Sequence, residues 1–387
     1  MGGERSSFVT TERCKIRYNE YELMPERAGP NLGSLERCRN KTGYEKEKKM
    51  SIVIAILGFG FLVLIHEYGH FIVARLNGVH VEEFSLGMGP TLWSKKGKKG
   101  TVWSLKALPI GGMCQMKGED TGEVDVSSDS FQSKKPLQRM SIIFAGPLMN
   151  LLVGFVFFAL LARGTGFQTN QAATILPDSP AQAAGMVAGD EIEAINGKKV
   201  TTFMDVVTYT ALAEGKPMQV TLRRGAERLQ KEITAKKTQT GQYLIGFRPV
   251  QELHPGPIVS VRQGFKEAGS MVRQTYQSLG LLVTGKVGLN QMGGPVAILG
   301  LASNVAKTSL LGFFRFLGFI SINLAIFNLL PFPALDGGWL LVLLVEWISR
   351  RKLPEKFMTA WNGIGFAILM IFMVLITFKD LLFPLRL

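Results

Sequence analysis

The chain alternates between long apolar blocks and polar, punctuated stretches. A helix needs roughly 20 residues to cross a bilayer core, and the block Ser51 to Ala74 meets that length. It runs uncharged as far as Ile65, is interrupted by His66-Glu67-Tyr68-Gly69-His70, and resumes with Phe71-Ile-Val-Ala74. Residues 140–162 form a second block and 309–330 a third, which is broken by Pro331 and Pro333 and followed by a further apolar run over 337–348. Residues 361–383 form a fourth. The pattern predicts a polytopic α-helical membrane protein with about four transmembrane helices.

Between the blocks the period changes. Over 80–116, Gly and Pro punctuate alternating runs such as Thr101-Val-Trp-Ser-Leu-Lys106, which predicts β-hairpins joined by turns. Non-helical backbone enters a bilayer only where protein buries it or where it lines an aqueous cavity. A membrane-reentrant hairpin beside the first block meets that condition; an ordinary loop outside the membrane is the alternative. Residues 170–236 predict a compact domain of short strands. Within it a short helix ends at Gly185, a turn follows at Gly189-Asp190, a strand runs from Glu191 to Ile195, and Asn196-Gly197 makes a hairpin turn. Over 262–283, Phe265, Ala268, Val272, Tyr276, Leu279 and Leu282 share one face, predicting an amphipathic helix on the membrane surface within 257–290. Residues 1–49 are polar and irregular, with no apolar signal core. They read as a disordered tail or as an extension upstream of a true start at Met50.

Composition agrees with a membrane class: 47% of the 387 residues are hydrophobic. The net charge of +14 would suggest nucleic acid in a soluble protein, but no nucleic-acid fold signature accompanies it. Basic loops facing anionic lipid account for it better. Arg75, Lys95, Lys96, Lys98, Lys99, Lys106, Lys117, Lys134, Lys135 and Arg139 lie between the first two blocks, and Arg350, Arg351, Lys352 and Lys356 come after the third. Both segments are expected on the cytoplasmic side, with residues 163–308 outside. Cys14, Cys38 and Cys114 are widely spaced and form neither a disulfide framework nor a sulfur-ligated zinc site.

The interruption of the first block carries chemistry. In HExxH on a helix, His66 and His70 are four residues apart and share a face, so both imidazoles can meet one metal ion. Glu67 is then placed to take a proton from a metal-activated water. Ionisable residues in a span cost roughly 2.5–3.5 kcal/mol each on insertion scales and mark function. Two satisfied histidines and a snorkelling glutamate are the bland alternative. A catalytic zinc needs a third protein ligand. His80 and His254 fall in loops and read as surface residues, whereas Asp336 is the only acid between 309 and 345 and comes just after Pro331 and Pro333. An interfacial helix cap is the other reading of Asp336.

The conjunction of HExxH with Asn323-Leu-Ala-Ile-Phe-Asn328-Leu-Leu-Pro331-Phe-Pro333-Ala-Leu-Asp336-Gly-Gly338 resembles the site-2 protease family of intramembrane zinc metalloproteases. The bacterial type that regulates sigma-E is the most similar. Phe84-Ser-Leu-Gly-Met-Gly89, Pro109-Ile-Gly-Gly112, Ala145-Gly-Pro-Leu-Met-Asn150 and Gly293-Gly-Pro295 belong to the same resemblance, which extends over 51–387. The run Ser179-Pro-Ala, Ala184-Gly-Met, Gly189-Asp-Glu-Ile and Ile195-Asn-Gly resembles a PDZ domain. The chain carries one copy where relatives often have two.

The resemblance implies one catalytic zinc ion held by His66, His70 and Asp336, with Glu67 as base. It implies that Asn323, Asn328, Pro331, Pro333, Gly111 and Gly112 serve substrate binding. It also implies single-span membrane substrates, such as anti-sigma factors trimmed by an upstream site-1-type protease or remnant signal peptides. The setting would be the bacterial cytoplasmic membrane, with the PDZ domain extracytoplasmic. A zinc-retaining PDZ scaffold and a metal transporter are the competing classes. The transporter needs further intramembrane acids or histidines, and the second and fourth blocks offer none before Lys379 and Asp380.

Overall fold

The computed structural model describes residues 32–119, 127–285, 293–351 and 353–383. The polar extension lies outside the described residues over 1–31; over 32–49 the backbone is helical and runs without a break into the first apolar block. This first helix, α1 (Leu32–Leu76), carries a membrane-length apolar segment from Met50 to Leu76. It ends where Asn77 donates its side-chain amide to the Val73 carbonyl (2.9 Å) and Gly78 takes a left-handed φ of 71°, a common helix stop.

Two strands come next, β1 (Val81–Lys96) and β2 (Val102–Met116). They form the expected hairpin, but it curls on itself. Leu86 is paired with Gly112 on one side and with Leu105 on the other, while Trp93 also faces Leu105. The curl is anchored to α1 by an aromatic cluster in which Phe71 stands 5.4 Å from Phe84 and 5.3 Å from Trp103, centroid to centroid.

Helix α2 (Pro136–Thr165) is the second membrane-length helix, and it contains Pro147. A β domain succeeds it. It comprises β3 (Phe167–Ile175), α3 (Pro180–Ala183), β4 (Glu191–Ile195), β5 (Lys198–Lys199), α4 (Phe203–Leu212), β6 (Pro217–Arg224), β7 (Glu227–Thr234), β8 (Lys236–Lys237), β9 (Tyr243–Leu244) and β10 (Phe247–Glu252). Its main sheet has the order β10-β3-β4-β6-β7, with β5 beside β4. The strand, the Gly185 stop and the Asn196-Gly197 turn fall where the residues placed them. The domain is wider than 170–236, because β10 closes the sheet against β3 and supplies buried Phe247 to the core.

Helix α5 (Pro257–Val283) leaves the domain. Residues 286–290 of the expected interfacial helix lie outside the described residues. The helix is more than a surface element. Gly264 lies against Ala159 of α2, Phe265 stacks on Phe155 at 4.0 Å, and Ala268, Val272 and Leu279 pack on a core of Phe158, Leu161, Ile322 and Ile326. Helix α6 (Pro295–Thr308) was not expected from the pattern of the chain. Asp380 accepts from the backbone N–H groups of Gly294 (3.1 Å) and Ala297 (3.0 Å), satisfying donors that a helix start leaves free.

Helix α7 (Leu310–Asn328) is the third membrane-length helix, α8 (Asp336–Ser349) is the short continuation after the proline break, and α9 (Glu355–Leu382) contains the fourth. Arg139, expected among the loop charges, is buried. Its guanidinium donates to Glu346 of α8 at 2.5 Å, and Glu346 also accepts from the Leu353 N–H at 3.0 Å. The pair clamps α2 to α8 because neither charge can be left alone inside the protein.

Candidate metal centre

Helix periodicity puts His66 and His70 on the face of α1 that packs against α2, and both are buried. Gly146 makes the packing possible. A Cβ there would stand 2.2 Å from His70 Nε2 and 2.9 Å from His66 Cε1, so any side chain would occupy the space between the rings. The third group arrives from α8. Asp336 is the first residue of that helix, after Leu335 at the cap position. It turns toward the histidines, with Oδ2 3.1 Å from His66 Nε2 and Oδ1 3.7 Å from His70 Nε2. The preceding turn includes Ala334 at φ 67°, a left-handed conformation that costs a non-glycine residue about 1–3 kcal/mol and collects at functional sites.

This geometry suits a metal ion. Ligands held 2.0–2.1 Å from a tetrahedral zinc stand roughly 3.3 Å from one another, and the two Nε2 atoms here are 3.2 Å apart. Asp336 Oδ2 is buried without a hydrogen-bond donor although His66 Nε2 is near, so the two atoms do not satisfy each other. Among the described residues, His66, His70 and Asp336 are the group of metal-type side chains that converges in this way. His254 is exposed and His80 half-buried, and neither belongs to it.

The outer nitrogens of the rings are held as well. His70 Nδ1 lies 2.9 Å from the Ile142 carbonyl, which can only accept, so Nδ1 carries the proton and Nε2 keeps its lone pair. His66 Nδ1 lies 3.3 Å from the amide of Asn150, whose Oδ1 is buried and unpartnered. A half-turn of that amide gives the oxygen its donor and leaves His66 Nε2 free in the same way.

Glu67 stands on the neighbouring face of α1, against the hairpin. Its Cγ lies 3.0 Å from the Cβ position that Gly112 lacks, so a side chain at 112 would press on the stem of Glu67. Gly111 turns the strand with a φ of 86°. Asn328, at the last residue of α7, brings its amide 3.4 Å from His66 Nε2. Asn323 sits earlier on α7, where its oxygen accepts from Thr275 of α5 (3.0 Å) and its amide donates to the Phe319 carbonyl (2.8 Å). Pro331 and Pro333 form the turn between Asn328 and Asp336. Two residues of the site, Gly146 and Asn150, lie in the run Ala145–Asn150 that carries part of the resemblance, but the sequence alone assigned them no place in the site. Asn150 was legible in principle, since an amide in an apolar span needs a partner.

An HExxH helix, an inward-facing acid on another helix, and a setting of membrane-length helices define the class of the integral-membrane metallopeptidases. Residues 54–372 match the model of peptidase family M50. The chain belongs to that family, the site-2 proteases, and is a zinc metalloendopeptidase. A Clostridium perfringens protein named as a zinc metalloprotease is 41% identical over 87% of this chain and 99% of its own length. The zinc metalloprotease RasP of Bacillus licheniformis is 28% identical over 86% and 99%. The regulator of sigma-W protease RasP of Bacillus subtilis is 28% identical over 86% and 98%. Among solved structures, the PDZ domain of an SdrC-like protein from Listeria monocytogenes matches 22% of this chain and 90% of its own, at 21% identity and a TM-score of 0.20.

Proposed function

We propose that this chain hydrolyses peptide bonds within the transmembrane segments of single-span membrane proteins, with His66, His70 and Asp336 holding its zinc and Glu67 as base. The observation that carries the reading is the convergence of Asp336 with both histidines from a separate apolar helix. Zinc held there supplies Lewis acidity toward a water and a scissile carbonyl. Glu67 takes the proton of the attacking water and delivers it to the departing amide nitrogen. Burial of the histidines keeps bulk water from competing for their lone pairs.

A transmembrane helix hides its amides in its own hydrogen bonds, so cleavage requires unwinding. In this reading Asn328 and the edge near Gly111 and Gly112 receive the freed backbone, and Pro331 and Pro333 shape the opposite wall. The curled hairpin enters the membrane beside α1 in this reading, and substrate pairs with it as an added strand. Asn323 contributes by holding α7 to α5. The β domain acts as a PDZ-type filter outside the bacterial cytoplasmic membrane, and the loops rich in Lys and Arg lie inside. The name of the Bacillus subtilis relative supports anti-sigma-factor-like substrates, cut first by another protease. Remnant signal peptides fit the same site.

The test is Glu67→Gln. The variant should retain zinc and lose cleavage of a reconstituted single-span substrate. Cleavage at the wild-type rate would overturn the mechanism and leave a zinc-retaining scaffold as the reading.

A further inference from the structure

A cavity of about 470 Å³ lies where the last turn of α1 meets the β1–β2 turn. Phe71, Arg75, Lys98, Lys99, Thr101 and Trp103 line it, and no acidic residue does. Arg75 is held in place, donating to Thr101 Oγ1 at 3.0 Å while its guanidinium lies 5.8 Å from the Phe71 ring centroid. Lys98 and Lys99 are exposed, and among the described residues neither forms an ion pair. Three cations thus face one concavity without a counter-charge. The apolar side is equally marked: Ile72 and Leu76 line the cavity as well, and Leu76 is 80% exposed.

We infer that this cavity binds the phosphate headgroup of an anionic phospholipid. Positive charge alone would suit any phosphate. The aromatic and aliphatic rim decides for a lipid, because a free phosphate gains nothing from Phe71, Trp103 and Leu76, whereas acyl chains cover them. The position agrees: the cavity sits at the end of the span Met50–Leu76, where headgroups meet a helix that crosses the bilayer. A lipid seated there bridges α1 to the hairpin through Phe71 and Trp103. It thereby braces the strand that brings Gly112 against Glu67.

The inference rests on the membrane reading of α1, but its test reads lipid retention and is independent of cleavage. The full chain in detergent is offered phosphatidylglycerol and phosphatidylcholine, and bound lipid is counted by native mass spectrometry. Wild type should retain one phosphatidylglycerol in preference to phosphatidylcholine. Lys98→Gln with Lys99→Gln should weaken retention roughly thirty-fold, each basic side chain at a membrane surface being worth about fivefold. Arg350→Gln with Arg351→Gln removes the same charge from another basic turn and should leave retention unchanged. Excess inorganic phosphate should fail to displace the lipid. Equal retention in the two double variants, or displacement by inorganic phosphate, would overturn the assignment.

Discussion

Asp336 Oδ2 lies 3.1 Å from His66 Nε2 and has no hydrogen-bond donor, although both groups are enclosed among apolar helices. A carboxylate oxygen left without a donor costs about 1–3 kcal/mol or more, so the arrangement calls for a cation. Asp336→Asn removes the negative ligand while keeping the shape. Zinc content by elemental analysis should fall well below one per chain, in contrast to Glu67→Gln. Full zinc occupancy in Asp336→Asn would remove Asp336 from the metal site.

Gly146→Ala places a methyl group 2.2 Å from His70 Nε2. The rings must separate or the helices must part, and overpacking of this kind costs roughly 1–3 kcal/mol. Zinc and activity should both be lost. Gly164→Ala, in the same helix with open space around it, should be silent in both assays.

Asn150 orients His66 through Nδ1, and removing such a partner typically costs about 10–100-fold in metal affinity. Asn150→Ala should show that loss in a chelator competition assay. Asn150→Asp still accepts from Nδ1–H and should recover most of the affinity; equal loss in both variants would mean that Asn150 does not act by accepting from His66 Nδ1–H.

Arg139→Met leaves Glu346 as a buried lone charge and should destabilise the protein by about 3–5 kcal/mol. Arg139→Met with Glu346→Leu should regain most of that, measured as thermal unfolding in detergent. Additive losses in the double variant would show that the pair does not clamp α2 to α8.

The β domain is joined to α5 through Asp205. Burial alone would raise the pKa of this carboxyl, but donation from Ser270, the Thr201 backbone, Gln274 and the Thr201 hydroxyl holds it below the ordinary aspartate value. A depressed folded pKa contributes stability that is present above the unfolded value of about 3.9. That contribution is lost as pH falls through the folded value. Limited proteolysis near residues 253–256 should therefore accelerate below about pH 4, and Asp205→Asn should flatten this acid dependence.

The four membrane-length helices among the described residues, the HExxH face and the isolated Asp336 were legible because each is a local property: block length, a spacing of four on one helix, and the cost of an acid in an apolar stretch. The strand from Glu191 to Ile195 and its Asn196-Gly197 turn were legible for the same reason. What the residues determined on their own was the chemistry available and the elements that carry it. The tertiary structure alone decided which groups meet. It turned Asp336 toward the histidines instead of leaving it a cap, paired Arg139 with Glu346, gave Asp380 to the start of α6, and set Asn323 on Thr275 rather than beside His66. It also let Gly146 stand between the two rings. Periodicity reports which side of an element is buried, but not the partner against which it is buried. That depends on contacts between segments far apart in the chain, where a buried charge or an unpaired amide is satisfied only once the helices have closed.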